Sequence, residues 1–221
     1  MTTTLCDRLA RLDTCAVSDA LDKLKLPGAV IGLRALSVPQ RIAGPAITVD
    51  LQRAAGRTAA RHLGTAAVDA SKPGDVIVVA NGGRDDVSGW GGILSQGAVR
   101  HGVAAVLVDG GCRDIDECRE LGLPLYARAA VPITARGRVI ETAWNEPVSF
   151  GGVTVKPGDL VLADGSGVVF LAAERAEEIV AAAEEIGARE RAITAAVIAG
   201  RPLAEAMGAN YEQLIAGGEP A

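Results

Sequence analysis

Between Gly89 and Asp114 the chain reads GWGGILSQGAVRHGVAAVLVDGGCRD, and no other segment constrains the fold as tightly. Residues 103–108 form an apolar run that is short and rich in β-branched side chains, which predicts a buried central strand rather than a helix. Residues 93–101 have helical character, opened by Gly91-Gly92 and closed at Gly102. The strand then carries Asp109, Arg113 and Asp114 to its C-terminal end, where α/β folds bind ligands. A loop entering a helix leaves backbone N–H groups free at the positive end of the helix dipole, a place for a carboxylate or phosphate. The same residues also have an ordinary reading: Gly-Gly as a turn, Asp as a helix cap, Arg as a solvated charge. Spacing alone leaves both readings open.

Around this unit the pattern continues to alternate. Residues 5–24 carry helical spacing, with Asp13 or Thr14 as a cap between two short helices. Residues 46–51 alternate as a strand. Residues 57–70 read as a helix, turned by Pro73-Gly74-Asp75 into a strand over 76–80, with 81–92 as a glycine-rich loop. A helix over 114–121 and a short strand over 125–127 follow, then strands at Val148–Phe150, Val153–Val155, Leu160–Ala163 and Val168–Leu171. A long Ala- and Glu-rich helix is predicted over 173–199, stopped by Gly200 and Pro202, with a frayed end at 217–221. Lys72-Pro73-Gly74-Asp75 and Lys156-Pro157-Gly158-Asp159 echo one another as tight turns that launch buried strands, and the echo extends no further. No linker divides the chain, so residues 1–221 are read as a single α/β domain.

Composition narrows the function. Aromatic residues are 3% of the chain against 49% hydrophobic, so the core must be built from small aliphatic side chains. A net charge of −5, no basic stripe and few stacking residues argue against nucleic acid as a partner. An acidic chain that binds another protein stays compatible with these numbers. The start of the chain lacks a cationic segment followed by an apolar one, and no stretch reaches the ~20 apolar residues that span a bilayer, so neither a signal peptide nor a membrane partner is expected. Cys6, Cys15, Cys112 and Cys118 form no CxxC pair, and a cytoplasmic location with reduced thiols is expected. Cys112 is read as a small buried side chain, with a reactive thiol as the alternative.

Through Gly91-Gly92-Ile93-Leu94, Arg100-His101-Gly102-Val103 and Asp109-Gly110-Gly111-Cys112-Arg113-Asp114, the chain resembles the RraA-like family. That family includes 4-hydroxy-4-methyl-2-oxoglutarate and 4-carboxy-4-hydroxy-2-oxoadipate aldolases, which also decarboxylate oxaloacetate. Ser18-Asp19-Ala20-Leu21, the two Lys-Pro-Gly-Asp turns and Asp164-Gly165-Ser166-Gly167-Val168 extend the likeness over most of residues 15–200. It implies a β/β/α swivelling-type fold with a long C-terminal helix, assembled as homotrimers or dimers of trimers.

Such chemistry leaves electrons on a pyruvyl carbon, to be held as an enolate by a Lys Schiff base or by a divalent metal. Lys23, Lys25, Lys72 and Lys156 fall in turns and a charged helix end, which disfavours the first route. With two histidines, His62 and His101, a His-rich zinc site is disfavoured too, and hard oxygen ligands suit Mg²⁺ or Mn²⁺. The resemblance implies that Asp114 anchors the metal in a shell made largely of water. It implies that Arg113 contacts the substrate and stabilises the enolate, and that backbone N–H groups of Gly91, Gly92, Ile93 and Leu94 hold the carboxylate of a small 2-oxo acid. Water is the expected proton carrier, since no His base accompanies the motif.

One position departs from the family. The characterised aldolases carry an acid twenty residues ahead of the Arg-Asp pair, where this chain has Gly92. Asp85 or Asp86 is a possible substitute, solvated acids being the alternative, and Glu190 is a candidate for the acid that a neighbouring subunit contributes in this family. His62 reads as structural, Trp90 as a brace for the glycine loop, and Arg84 as a solvated charge or an attractor of anions. Three functions follow: a metal-dependent pyruvate aldolase and decarboxylase, an inhibitor that binds ribonuclease E without catalysis, or a lyase for a sugar-derived 2-oxo acid. The inhibitors typically lack the Asp of the Arg-Asp pair, which this chain keeps. A methyltransferase finds no support, because no adenosylmethionine-type glycine loop with an acidic ribose partner is present.

Overall fold

A computed structural model describes residues 4–59 and 61–208; the frayed end expected at 217–221 lies outside them. Helices α1 (Leu5–Leu9) and α2 (Thr14–Lys23) open the described chain. Asp13 rather than Thr14 caps α2, its carboxylate accepting the Ala16 N–H at 2.8 Å. Strands β1 (Ala29–Val30) and β2 (Arg34–Ala35) lead into the twelve-residue β3 (Ile42–Arg53). Three helix-to-strand steps follow: α3 (Thr65–Ala70) to β4 (Val76–Ser88), α4 (Gly92–Arg100) to β5 (Ala105–Cys112), and α5 (Ile115–Glu120) to β6 (Leu125–Ala130). The remainder is β7 (Val139–Trp144), β8 (Val148–Phe150), β9 (Val153–Val155), β10 (Leu160–Ala163), β11 (Val168–Leu171), α6 (Ala176–Ile198) and α7 (Leu203–Met207).

Among the described residues the main sheet has the order β1-β11-β10-β3-β4-β5-β6-β2, with β7 also paired to β3. Strands β3 to β6 run parallel, and the flanking pairs are antiparallel. The length of β3 lets it join the two halves: residues 42–45 pair with β10, 46–50 with β4, and 49–53 with β7.

The apolar runs of the parallel strands are continuous because both faces are covered. Ile77, Val79, Val106 and Val108 face the helices α3, α4 and α5, while Val76, Val78, Ala105 and Leu107 face the β8–β9 hairpin. Phe150 and Phe170 meet edge to face there, with ring centroids 5.3 Å apart. Leu160, Leu162, Val169 and Leu171 turn outward against α1, α2 and α6. Helix α6 buries Ala176, Ile179, Val180, Ala183, Ile186 and Gly187, a single stripe at helical spacing over its first half.

The two echoing turns are chemically the same. In each, the Asp carboxylate accepts the Lys N–H (2.7 Å for Asp75, 2.8 Å for Asp159) and the Gly adopts the left-handed conformation, at φ 92° for Gly74 and 86° for Gly158. Two expectations need correction. Of the described residues in 57–70, only Thr65–Ala70 are helical, because Gly64 at φ 75° breaks the run and Glu141 accepts its N–H together with the guanidinium of Arg61. Residues 81–88 are not loop: β4 continues through two register shifts, with Gly82 and Gly83 at positive φ supplying the irregular backbone.

Candidate active site

The loop after β4, the start of α4 and the end of β5 converge on an open cleft of about 190 Å³. Arg113 and Asp114 line it together with Gly91, Gly92, Ile93 and Leu94, so the residues singled out in the sequence meet in one place. His62, Ser88, Thr134 and Arg136 also line it. Sequence reading missed Thr134 and Arg136, which arrive on the loop between β6 and β7, some twenty residues past the motif. His62 was assigned to a helix, but it stands exposed in the loop before α3, at the cleft, with Nδ1 3.1 Å from the Leu63 carbonyl.

Asp114 is the unusual residue here. It sits at φ 58°, ψ 42° as the N-terminal boundary of α5, a left-handed conformation that costs an Asp about 1 kcal/mol or more. Its Oδ2 accepts the Gly92 N–H at 2.9 Å, and both carboxylate oxygens accept from Arg113 Nε at 3.1 Å. The side chains of Asp114 and Arg113 remain 32% and 39% exposed, so neither is saturated. Conserving hydrogen bonds explains the loop around them. The indole of Trp90, 1% exposed, donates to Ser95 Oγ, while its backbone carbonyl accepts from Ser88 Oγ and from the Arg113 N–H. Trp90 therefore braces the glycine loop while forming part of the cleft wall.

The carboxylate cradle expected at Gly91 to Leu94 is narrower than the sequence implied. Gly92 spends its N–H on Asp114, leaving the N–H groups of Ile93 and Leu94 at the open first turn of α4, with no acceptor among the described residues. Those two amides and the Arg113 guanidinium form a positive rim, and Arg136, from the loop between β6 and β7, adds a further charge to the cleft wall. No ion pair engages Arg136 among the described residues.

Asp109 does not reach the cleft. It is buried beneath the β8–β9 hairpin, accepting from Arg128 Nε and from the Gly151 N–H at 3.0 Å. Asp86 pairs with Arg53 at 2.6 Å and Asp85 is exposed, and neither lines the cleft. Arg84 turns back to donate to the Asn81 and Leu51 carbonyls. Glu190 stands on α6; burial, then the nearby charges of Asp13 and Asp19, push its carboxyl above the usual range. Within this chain it lines no part of the cleft. Cys112 is fully buried, and burial followed by the proximity of Cys118 drives its thiol well above the ordinary value, so it packs as a small apolar group.

As a cation site, the arrangement offers hard oxygen. Among the described residues no three His, Cys, Asp or Glu side chains gather as a ligand set. One or two carboxylates supplemented by substrate oxygens and water is the donor set Mg²⁺ or Mn²⁺ accepts, whereas zinc favours several nitrogen or sulfur ligands. The open, half-exposed face of Asp114 fits the former. Among the described residues no helix is long and apolar enough to cross a membrane.

Residues 14–170 match the RraA-like family model, described as Aldolase/RraA. A protein of Halalkalibacterium halodurans named "Putative 4-hydroxy-4-methyl-2-oxoglutarate aldolase" is 34% identical over 200 residues, covering 89% of this chain and 91% of that one. Protein DlpA of Legionella pneumophila is 29% identical over 202 residues, 91% of this chain; the chain spans 33% of DlpA's length. The crystal structure of Streptomyces coelicolor RraAS2, described as an unusual member of the RNase ES inhibitor RraA protein family, superposes with a TM-score of 0.77 at 31% identity, over 85% of this chain and 93% of that one.

Proposed function

Because the chain belongs to the RraA-like family and keeps a strained, half-open Arg-Asp pair in its cleft, we propose that it is a divalent-metal-dependent lyase that releases pyruvate from 4-hydroxy-2-oxo acids, with oxaloacetate decarboxylation as a side activity. The observation that carries this reading is Asp114. A structural cap would be saturated and relaxed, whereas this carboxylate is held in a left-handed backbone with one face open to the cleft.

The chemistry follows from the donors on the cleft wall. In a 4-hydroxy-2-oxo acid the C3–C4 bond breaks; its electron pair forms the C2–C3 double bond and negative charge develops on the C2 oxygen. A divalent cation, when bound, supplies positive charge beside that oxygen. The Arg113 guanidinium donates to the same developing charge, an interaction stronger in the transition state than in the ground state. The Ile93 and Leu94 amides receive the substrate's C1 carboxylate at the α4 N-terminus. Water takes the proton from the C4 hydroxyl, which becomes a carbonyl, and a proton returned to C3 completes pyruvate. Oxaloacetate reaches the same enolate by losing carbon dioxide from C4. Arg136, a second cation on the cleft wall, suits a second carboxylate, which favours diacids such as 4-hydroxy-4-methyl-2-oxoglutarate over neutral analogues. Assembly as trimers or dimers of trimers belongs to the same proposal, and light-scattering mass tests it.

A coupled pyruvate-release assay with oxaloacetate and a panel of 4-hydroxy-2-oxo acids, including sugar-derived ones, tests the activity. Turnover is expected with Mg²⁺ or Mn²⁺ and is expected to vanish with EDTA; equal turnover with and without metal would contradict it. A second reading, non-catalytic inhibition of ribonuclease E, draws support from the likeness to RraAS2. Stoichiometric inhibition of ribonuclease E by a chain that releases no pyruvate would favour it.

A further inference from the structure

Gly92 has no conformational need to be glycine. It is the first residue of α4 and is absent from the residues with positive φ, so the backbone would accept any side chain there. What excludes a side chain is Glu117. A Cβ on Gly92 would overlap the Glu117 carboxylate, and even the farther oxygen, Oε1, would lie 2.8 Å from it. Beside it, a Cβ on Gly91 would lie 2.8 Å from Asp114 Oδ2. Two carboxylates, one turn apart at the start of α5, thus press against two consecutive glycines of the cleft wall.

Glu117 is half-buried, yet it accepts no hydrogen bond and joins no ion pair among the described residues. The neighbouring Asp116 is exposed and pairs with Arg119, so the one cation on α5 is directed elsewhere. Arg113 is engaged with Asp114. Glu117 does not itself line the cleft; its carboxylate stands behind Gly92, which does, so this corner holds two negative charges against one arginine where the Gly92 amide already directs Asp114. We infer that Glu117 is a positioning residue of this cleft: its carboxylate occupies the volume that a side chain at residue 92 would fill, and it holds a divalent cation and its water beside Asp114. This rests on the metal-dependent reading above and adds to it a source for the second acid other than Asp85, Asp86 or another subunit.

Mn²⁺ binding, read by the electron paramagnetic resonance of free Mn²⁺, separates the two levels of the argument. Full-length wild type, Asp114→Ala, Glu117→Gln, Glu117→Ala and the double variant Gly92→Asp/Glu117→Ala are compared, with near-ultraviolet circular dichroism of the buried Trp90 as the check on folding. Both Glu117 variants are expected to weaken Mn²⁺ binding about 10-fold or more. The double variant is expected to regain most of that loss, because it returns an acid to the same volume from the other chain segment. A double variant as weak as Glu117→Ala overturns the inference, since the carboxylate's place would then not matter. Unchanged binding in the Glu117 variants, with loss in Asp114→Ala, overturns it while leaving the metal-dependent reading intact. Unchanged binding in Asp114→Ala as well overturns both.

Discussion

Two arginine–carboxylate pairs leave the end of β5 within six residues of each other and meet opposite fates. Asp109 is 4% exposed; its oxygens are taken up by Arg128 and the Gly151 amide, and its backbone lies within β5. Asp114 follows the strand, adopts φ 58°, and leaves a third of its side chain open with an arginine that is itself partly exposed. The first pair has a buried, fully engaged carboxylate and ties the β8–β9 hairpin to the sheet. The second is under strain and incomplete, as a group awaiting a ligand is. Residue type does not separate them; saturation and backbone conformation do.

The comparison predicts different failures. Asp114→Ala is expected to lower pyruvate release at least about 10³-fold while leaving the thermal midpoint nearly unchanged. Asp109→Ala is expected to do the reverse. Breaking a buried pair costs about 3 kcal/mol, at the lower end of the usual range because Arg128 is 28% exposed, or roughly 100-fold in the folding equilibrium. Urea titration reads that loss, and turnover per folded molecule should hold. A parallel fall in activity for Asp109→Ala, or in stability for Asp114→Ala, would break the distinction.

Arg136→Ala sharpens it from elsewhere on the cleft wall. KM for a diacid should rise about 10-fold, as for the loss of one charge-assisted contact, with kcat little changed. An equal fall in kcat would move Arg136 into the bond-breaking step. The smallest effect is expected at Asp164, a saturated carboxylate like Asp109. Burial works to raise its pKa, but hydrogen bonds from Thr14 and Ser166 outweigh it and hold the carboxyl below its ordinary value of 3.8. The stability it adds is therefore present above pH 3.8 and lost as pH falls through the lower folded value. Acid unfolding followed by circular dichroism should show Asp164→Asn less stable than wild type near neutrality, with the gap closing in strong acid.

Much of this architecture was legible from local pattern. The strands from Val148–Phe150 to Val168–Leu171 were read with their observed bounds, because short apolar runs separated by Pro-Gly-Asp and Asp-Gly turns carry unambiguous punctuation. The α4–β5 unit was legible for the same reason. Local pattern failed where distant partners decide. The glycines at 82 and 83 resemble a loop, yet pairing with β5 draws residues 81–88 into β4. Arg128, nineteen residues on, diverts Asp109 from the cleft. Arg136 and Thr134 enter from a loop that carries no motif, and the approach of Glu117 to Gly92 depends on how two helix starts pack. Helical spacing placed Glu117 three residues from Asp114, but nothing in the order of residues says which side chain fills the space of a missing one.

The central claim is that this cleft stabilises a pyruvyl enolate, and it can be tested without knowing the natural acceptor. Pyruvate in D₂O, followed by proton nuclear magnetic resonance of its methyl group, should exchange hydrogen for deuterium in the presence of wild type and Mg²⁺. Exchange should fall to the background rate with EDTA or with Asp114→Ala. Exchange by Asp114→Ala as fast as by wild type, or none by wild type with metal supplied, would contradict the account.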